Sequence, residues 1–218
     1  MNVLGVVFDL DGVIVDTAEF HYIAWRNLGK KLGIEIDRSF NERLKGVSRM
    51  DSLDRILEVK GLKETMSREE KEALAKEKND EYVKLISTIK PSDMLPGIKD
   101  FLEDLKSNNI RIGLASASKN ALPVLKRLDA EKYFDYVADP NLCKKNKPAP
   151  DIFLLAAKGL HLRPENCIGI EDAEAGIEGI NSAGMFSIGI GDKKTLRDAD
   201  LVLSSTKKLN LDVLNIRK

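Results

Sequence analysis

Cysteine is scarce: two, Cys143 and Cys167, in 218 residues. At most one bridge could join them, and their spacing fits no metal-ligand pattern, so neither a disulfide framework nor a zinc site organises the fold. Reduced thiols in a cytoplasmic protein are the expectation. Net charge is also missing, because 35 Lys and Arg balance 35 Asp and Glu. Without a basic excess there is no overall field to gather nucleic acid and no polybasic membrane anchor. Apolar runs fall well short of the ~20 residues that span a bilayer. The chain enters its first strand at once, so no charged leader with a cleavage site is expected. Internal repeats and low-complexity tracts are absent too.

What is present is an ordinary globular composition, 43% hydrophobic and 32% charged. Strand-like runs recur at Leu4 to Phe8, Ile110 to Ala115, Tyr136 to Ala138, Cys167 to Ile170, Phe186 to Ile190 and Leu201 to Leu203. Helical patterns such as Ile98 to Ser107 and Ile152 to Gly159 lie between most of them, which predicts βαβ units and a parallel sheet. From about Asp16 to Lys90 the alternation stops, and only helical patterns rich in lysine and glutamate appear. There Ser67-Arg68-Glu69-Glu70 is a capping box, opening a helix with Leu74, Tyr82, Leu85, Ile86 and Ile89 at its apolar positions. The reading is an α/β Rossmann-like core of residues 1–15 and 91–218, with an inserted all-helical cap domain of residues 16–90. Such a cap sits over the end of the first strand and can exclude water from it.

The first strand ends in Phe8-Asp9-Leu10-Asp11-Gly12-Val13. Carboxylates are costly to bury inside a sheet, so both acids are expected at its carboxyl edge, where open α/β sheets bind ligands. There they suit a divalent cation and a nucleophile, although a turn with an N-capping aspartate would read the same way. Three further clusters follow. Ser116-Ala117-Ser118-Lys119-Asn120 ends the second strand, as an anion site or a plain helix cap. Lys147 precedes Pro148, which biases its backbone toward an extended form, and Glu171-Asp172 ends the fourth strand-like run. A solvated lysine and helix-favouring acids would explain these singly; their order along the chain argues for one site.

That ordered set resembles the haloacid dehalogenase superfamily of phosphoryl-transfer enzymes with an all-helical cap. Four ionised acids at Asp9, Asp11, Glu171 and Asp172 would repel a phosphate, each pair at ~4 Å costing about 4 kcal/mol at an effective dielectric near 20. Mg²⁺, Lys147 and a protonated Asp11 together cancel that charge, and hard oxygen ligands favour Mg²⁺. By resemblance, Asp9 attacks phosphorus and becomes an aspartyl phosphate, and Asp11 protonates the leaving oxygen and later deprotonates the incoming hydroxyl. Asp9, the Asp11 carbonyl, Glu171 and Asp172 would hold Mg²⁺. Ser116, the Ala117 amide and Lys147 would hold the transferring phosphoryl group. The superfamily includes dehalogenases, phosphatases and mutases; a dehalogenase would not need this whole phosphate-binding set.

Within the superfamily the chain is similar over nearly its full length to the β-phosphoglucomutases. The matching stretches are Phe8 to Val13, Asp16 to Glu19, Leu44 to Arg49, Lys78 to Asp80, Leu114 to Asn120 and Lys147 to Phe153. By that resemblance Arg49, Ser118, Lys119 and Asn120 grip the distal phosphate. Trp25, Gly46, Val47 and Ser52 line the sugar pocket. Thr17, His21 and Lys76 couple cap closure to Asp11. The implied reaction interconverts β-glucose 1-phosphate and glucose 6-phosphate, with β-glucose 1,6-bisphosphate as activator and intermediate. The implied protein is a monomer with a small sugar-phosphate substrate and neither nucleic-acid nor membrane partners. A sugar-phosphate phosphatase is the alternative, and a non-catalytic phosphosugar or Mg²⁺-binding protein a further one. Two departures stand out: Val15 replaces the usual threonine of Ile-Thr-Asp at the hinge, and the segment after Asp192 matches weakly, leaving its last helix without a role.

Overall fold

The structure, a computed structural model, describes residues 3–44 and 47–215. Six parallel strands form one sheet in the order β3-β2-β1-β4-β5-β6. They are β1 (Gly5–Phe8), β2 (Arg111–Leu114), β3 (Tyr136–Val137), β4 (Cys167–Glu171), β5 (Phe186–Ile190) and β6 (Leu201–Leu203). β1 is fully buried and central, with Val7 paired to Gly113 on one side and Gly169 on the other. Its apolar run without alternation follows from that position, since both faces are covered. Val6 and Phe8 pack on one face with Phe101, Leu105 and Val124, from α5 (Ile98–Ser107) and α6 (Ala121–Arg127). Val7 packs on the other with Phe153 and Ile177, from α7 (Asp151–Gly159) and α8 (Glu174–Ser182).

Between β1 and β2 come four helices and, among the described residues, no strand: α1 (Ala18–Lys31), α2 (Arg38–Glu42), α3 (Arg49–Glu58) and α4 (Arg68–Ile86). They enclose their own cluster of Trp25, Leu28, Ile36, Leu53, Ile56 and Leu57. The expected capping box starts α4: the Ser67 hydroxyl accepts from the Glu70 amide, and Glu70 accepts from the Ser67 amide. The chain's two crossings between sheet and helices lie side by side, with Leu95 N–H donating to the Ile14 carbonyl at 2.8 Å. The segment after Asp192 forms β6 and two short 3-10 turns rather than an α-helix, and its Val213 and Leu214 join the main core. None of the helices in the described residues is long and apolar enough to cross a membrane.

Candidate active site

Strand order reverses beside β1, so the loops after β1 and β4 diverge and leave a crevice at their carboxyl ends. Asp9 follows β1 directly, its amide donating to the Ile170 carbonyl at 2.9 Å. Ser116 follows β2, Glu171 ends β4 and Asp172 comes next. Lys147 enters from the loop before α7, its Nζ 2.7 Å from both Asp9 Oδ1 and Glu171 Oε2. Asp9, Lys147 and Glu171 are all buried, so these ionic bonds lie in a weakly screened interior. Burial tends to lower the Lys147 pKa, but the two carboxylates win and raise it, so the lysine is cationic.

One oxygen each from Asp9, Glu171 and Asp172 lie within 4.8 Å of one another. Burial and the Asp9 charge push Glu171 up to about 8, which marks a cluster short of positive charge even with Lys147 present. Three converging carboxylate oxygens fit a hard divalent cation. The backbone makes room for them. Gly12 has φ +76°, and a Cβ there would overlap the Asp172 carboxylate; a Cβ on Gly176 would overlap that of Glu171.

Asp11 stands apart from that cluster. The Thr17 hydroxyl donates to its Oδ1, and His21 Nε2 lies 4.0 Å from its Oδ2. Desolvation at the pocket floor, then the Asp9 charge, push Asp11 up to about 8, so it carries a proton at neutral pH. A carboxylic acid beside a carboxylate supplies an acid and a nucleophile two residues apart.

Thr17 and His21 therefore meet Asp11, but Lys76 does not. Lys76 is exposed on the outer face of α4, paired with Asp80 at 2.6 Å. The residue in the site is Lys78, buried, with Nζ 2.8 Å from His21 Nδ1 and 4.5 Å above the Trp25 ring. Two positions along a helix are about 200° around it, which puts Lys76 and Lys78 on opposite faces. The signal was available: Lys78 stands four residues before Tyr82 and eight before Ile86 on the apolar stripe. Burial, then Arg49, lower Lys78 to about 7, against the pull of Asp11 and Glu81. Burial, Lys78 and Arg49 hold His21 well below its usual value, so its imidazole is neutral and accepts from Lys78. Tyr82, another residue not singled out from sequence as a site group, donates to Thr17 Oγ1 at 3.3 Å.

Above the acids is a cavity of about 320 Å³, in the range of small-ligand sites. Asp9, Asp11, Asp172, Ser116 and Ala117 line its floor, and Lys147 and Glu171 sit directly behind Asp9. Arg49, Ser118, Lys119, Asn120, Trp25, Val47 and Ser52 line the rest. Gly46 lies outside the described residues. Ser116 Oγ accepts from the Ser118 amide at 3.1 Å, and Ser118 Oγ from the Asn120 amide at 3.2 Å, which fixes the loop before α6.

Comparison with known proteins agrees with this arrangement. The family profile of haloacid dehalogenase-like hydrolases matches residues 3–184. The β-phosphoglucomutase of Bacillus subtilis is 49% identical over 210 residues, covering 96% of this chain and 93% of that protein. A crystal structure of β-phosphoglucomutase from Clostridium difficile superposes with a TM-score of 0.96 at 56% identity, covering 98% of this chain and 96% of that one. A phosphorylated-carbohydrates phosphatase of Thermotoga maritima is 31% identical, covering 96% of this chain and 97% of that protein.

Proposed function

The chain belongs to the haloacid dehalogenase-like hydrolase family, and we infer that within it this enzyme is a mutase interconverting β-glucose 1-phosphate and glucose 6-phosphate through an aspartyl phosphate. The observation that carries this reading is one cavity lined both by the acids and by a second set of cationic and polar groups. Asp9, Asp11 and Ser116 line it, and so do Arg49, Lys119 and Asn120. A phosphatase needs one phosphate site; a mutase working through a bisphosphate needs two. The 49% identity to a β-phosphoglucomutase, against 31% to a phosphatase, points the same way.

Asp11 takes the proton of the sugar 6-hydroxyl as that oxygen attacks the phosphorus carried by Asp9. The product is β-glucose 1,6-bisphosphate, and free Asp9 is restored. The bisphosphate turns end for end, Asp9 attacks the 1-phosphoryl group, and Asp11 returns its proton to the departing sugar oxygen. Asp9, the Asp11 carbonyl, Glu171 and Asp172 would hold Mg²⁺, which would supply the charge that lets a phosphate dianion approach these acids. Ser116, the Ala117 amide and Lys147 orient the transferring group, and Arg49, Ser118, Lys119 and Asn120 the distal one. Trp25, Val47 and Ser52 surround the sugar. Thr17, His21 and Lys78 tie the cap of residues 16–90 to Asp11, with the core being residues 1–15 and 91–218. The enzyme works as a cytoplasmic monomer.

One assay tests the reading. With β-glucose 1-phosphate, Mg²⁺ and a trace of bisphosphate, glucose 6-phosphate is the expected main product. Inorganic phosphate at a comparable rate would identify a sugar-phosphate phosphatase instead. Neither product would leave a non-catalytic binding protein.

A further inference from the structure

Besides the Thr17–Asp11 bond beside the hinge, further side-chain hydrogen bonds cross from cap to core, two of them through asparagines that line the cavity. Asn146 Nδ2 donates to Asp51 Oδ2 at 3.1 Å, and Asn120 Nδ2 donates to Asn79 Oδ1 at 2.8 Å. Both pairs join elements far apart in the chain, so neither bond survives if the cap lifts. Asn146 immediately precedes Lys147, the ammonium that holds Asp9 and Glu171. Asp51 is in the first turn of α3, two residues after Arg49, and its Oδ2 is already set by the Ser48 hydroxyl at 2.6 Å. Asn79 follows Lys78 on α4, and Asn120 ends the loop that begins at Ser116. Each bond thus fastens a phosphate-holding segment of the core to a cap helix.

We propose that Asn146 and Asn79 are positioning residues that latch the cap onto the core, and that these two bonds set how the phosphoryl group on Asp9 divides between sugar and water. This rests on the mutase reading. Water reaches the aspartyl phosphate only while the cap is parted, so the partition reads the closed fraction directly. The Asn146 bond is at the rim and the Asn79 bond is half-buried, which limits each to a modest share of the closing equilibrium. Neither asparagine bonds to Asp9 or Asp11, so the chemical step itself is left to other groups.

The experiment supplies β-glucose 1-phosphate, Mg²⁺ and a trace of bisphosphate, and measures inorganic phosphate released per glucose 6-phosphate formed. Asn146→Ala and Asn79→Ala are each expected to raise that ratio by about two- to fivefold. Asn146→Asp should raise it further, because two carboxylates then face each other. Combining Asn146→Asp with Asp51→Asn rebuilds the bond with its polarity exchanged and should bring the ratio back toward wild type. A role in fold stability alone would shift melting temperature without this restoration. Ratios unchanged in both alanine variants, or an exchanged pair no better than Asn146→Asp alone, would overturn the proposal. That failure differs from failure of the mutase reading, in which the wild-type enzyme itself forms no glucose 6-phosphate.

Discussion

Asp9 and Asp11 are chemically identical side chains two positions apart, and their neighbours assign them different work. Asp9 takes an ammonium hydrogen from Lys147, whereas Asp11 accepts from the Thr17 hydroxyl and holds its own proton near neutrality. Replacing Asp9 by asparagine removes the carboxylate assigned to attack phosphorus, and turnover should fall by at least about 10⁴-fold. Appreciable residual glucose 6-phosphate formation would reject it as nucleophile. Lys78 provides a second prediction, in pH. Its pKa falls from 10.5 to about 7 on folding, so between those values the unfolded chain binds more protons and stability rises with pH. Wild-type protein should gain about 2 kcal/mol more than Lys78→Met between pH 7 and pH 9, read from urea unfolding. Equal gains would mean that Lys78 is not desolvated. Motifs made the acids, Lys147 and Arg49 legible from sequence. The resemblance points to Lys76 whereas Lys78 is the lysine beside His21; a charged helix offers several lysines, and helical phase, rather than residue type, distinguishes them.

At the level of elements, strands are legible in the sequence for a physical reason. Every strand expected from an apolar run is present, because a parallel sheet covered on both faces demands such runs. The starts of α4 and α5 are equally legible, one from its capping box and the other from the helical pattern that opens at Ile98. The end of the chain is not, since Leu211 to Asn215 is too short and irregular to leave a periodic pattern. Helix α3 shows how an element serves the site: Ser48 caps its first turn, and Arg49 leaves that turn toward the cavity. Arg49→Ala should therefore lower mutase kcat/KM by one to two orders of magnitude, about 1.4–2.8 kcal/mol, while hydrolysis of a small phosphate ester changes much less. Equal losses in the two assays would count against a distal clamp.

Across the whole molecule, the acids gathered from β1 and β4 make cation binding part of folding stability. A ligand that binds only the folded form stabilises it by about 2.7 kcal/mol at a hundred times its Kd, or roughly 5–10 °C for a chain of this size. Melting temperature should rise by that order when Mg²⁺ is added and fall back with a chelator, and Asp172→Asn should lose most of the shift. A melting curve indifferent to Mg²⁺ would contradict the cluster's assignment. The central place of β1 also bears on biosynthesis. The strand that leads into Asp9 is synthesised before both of its partners, and the second of them ends only at Glu171. Until that second partner is made, the nascent chain holds its reactive aspartate beside a strand with one edge open, and catalytic competence arrives late and all at once.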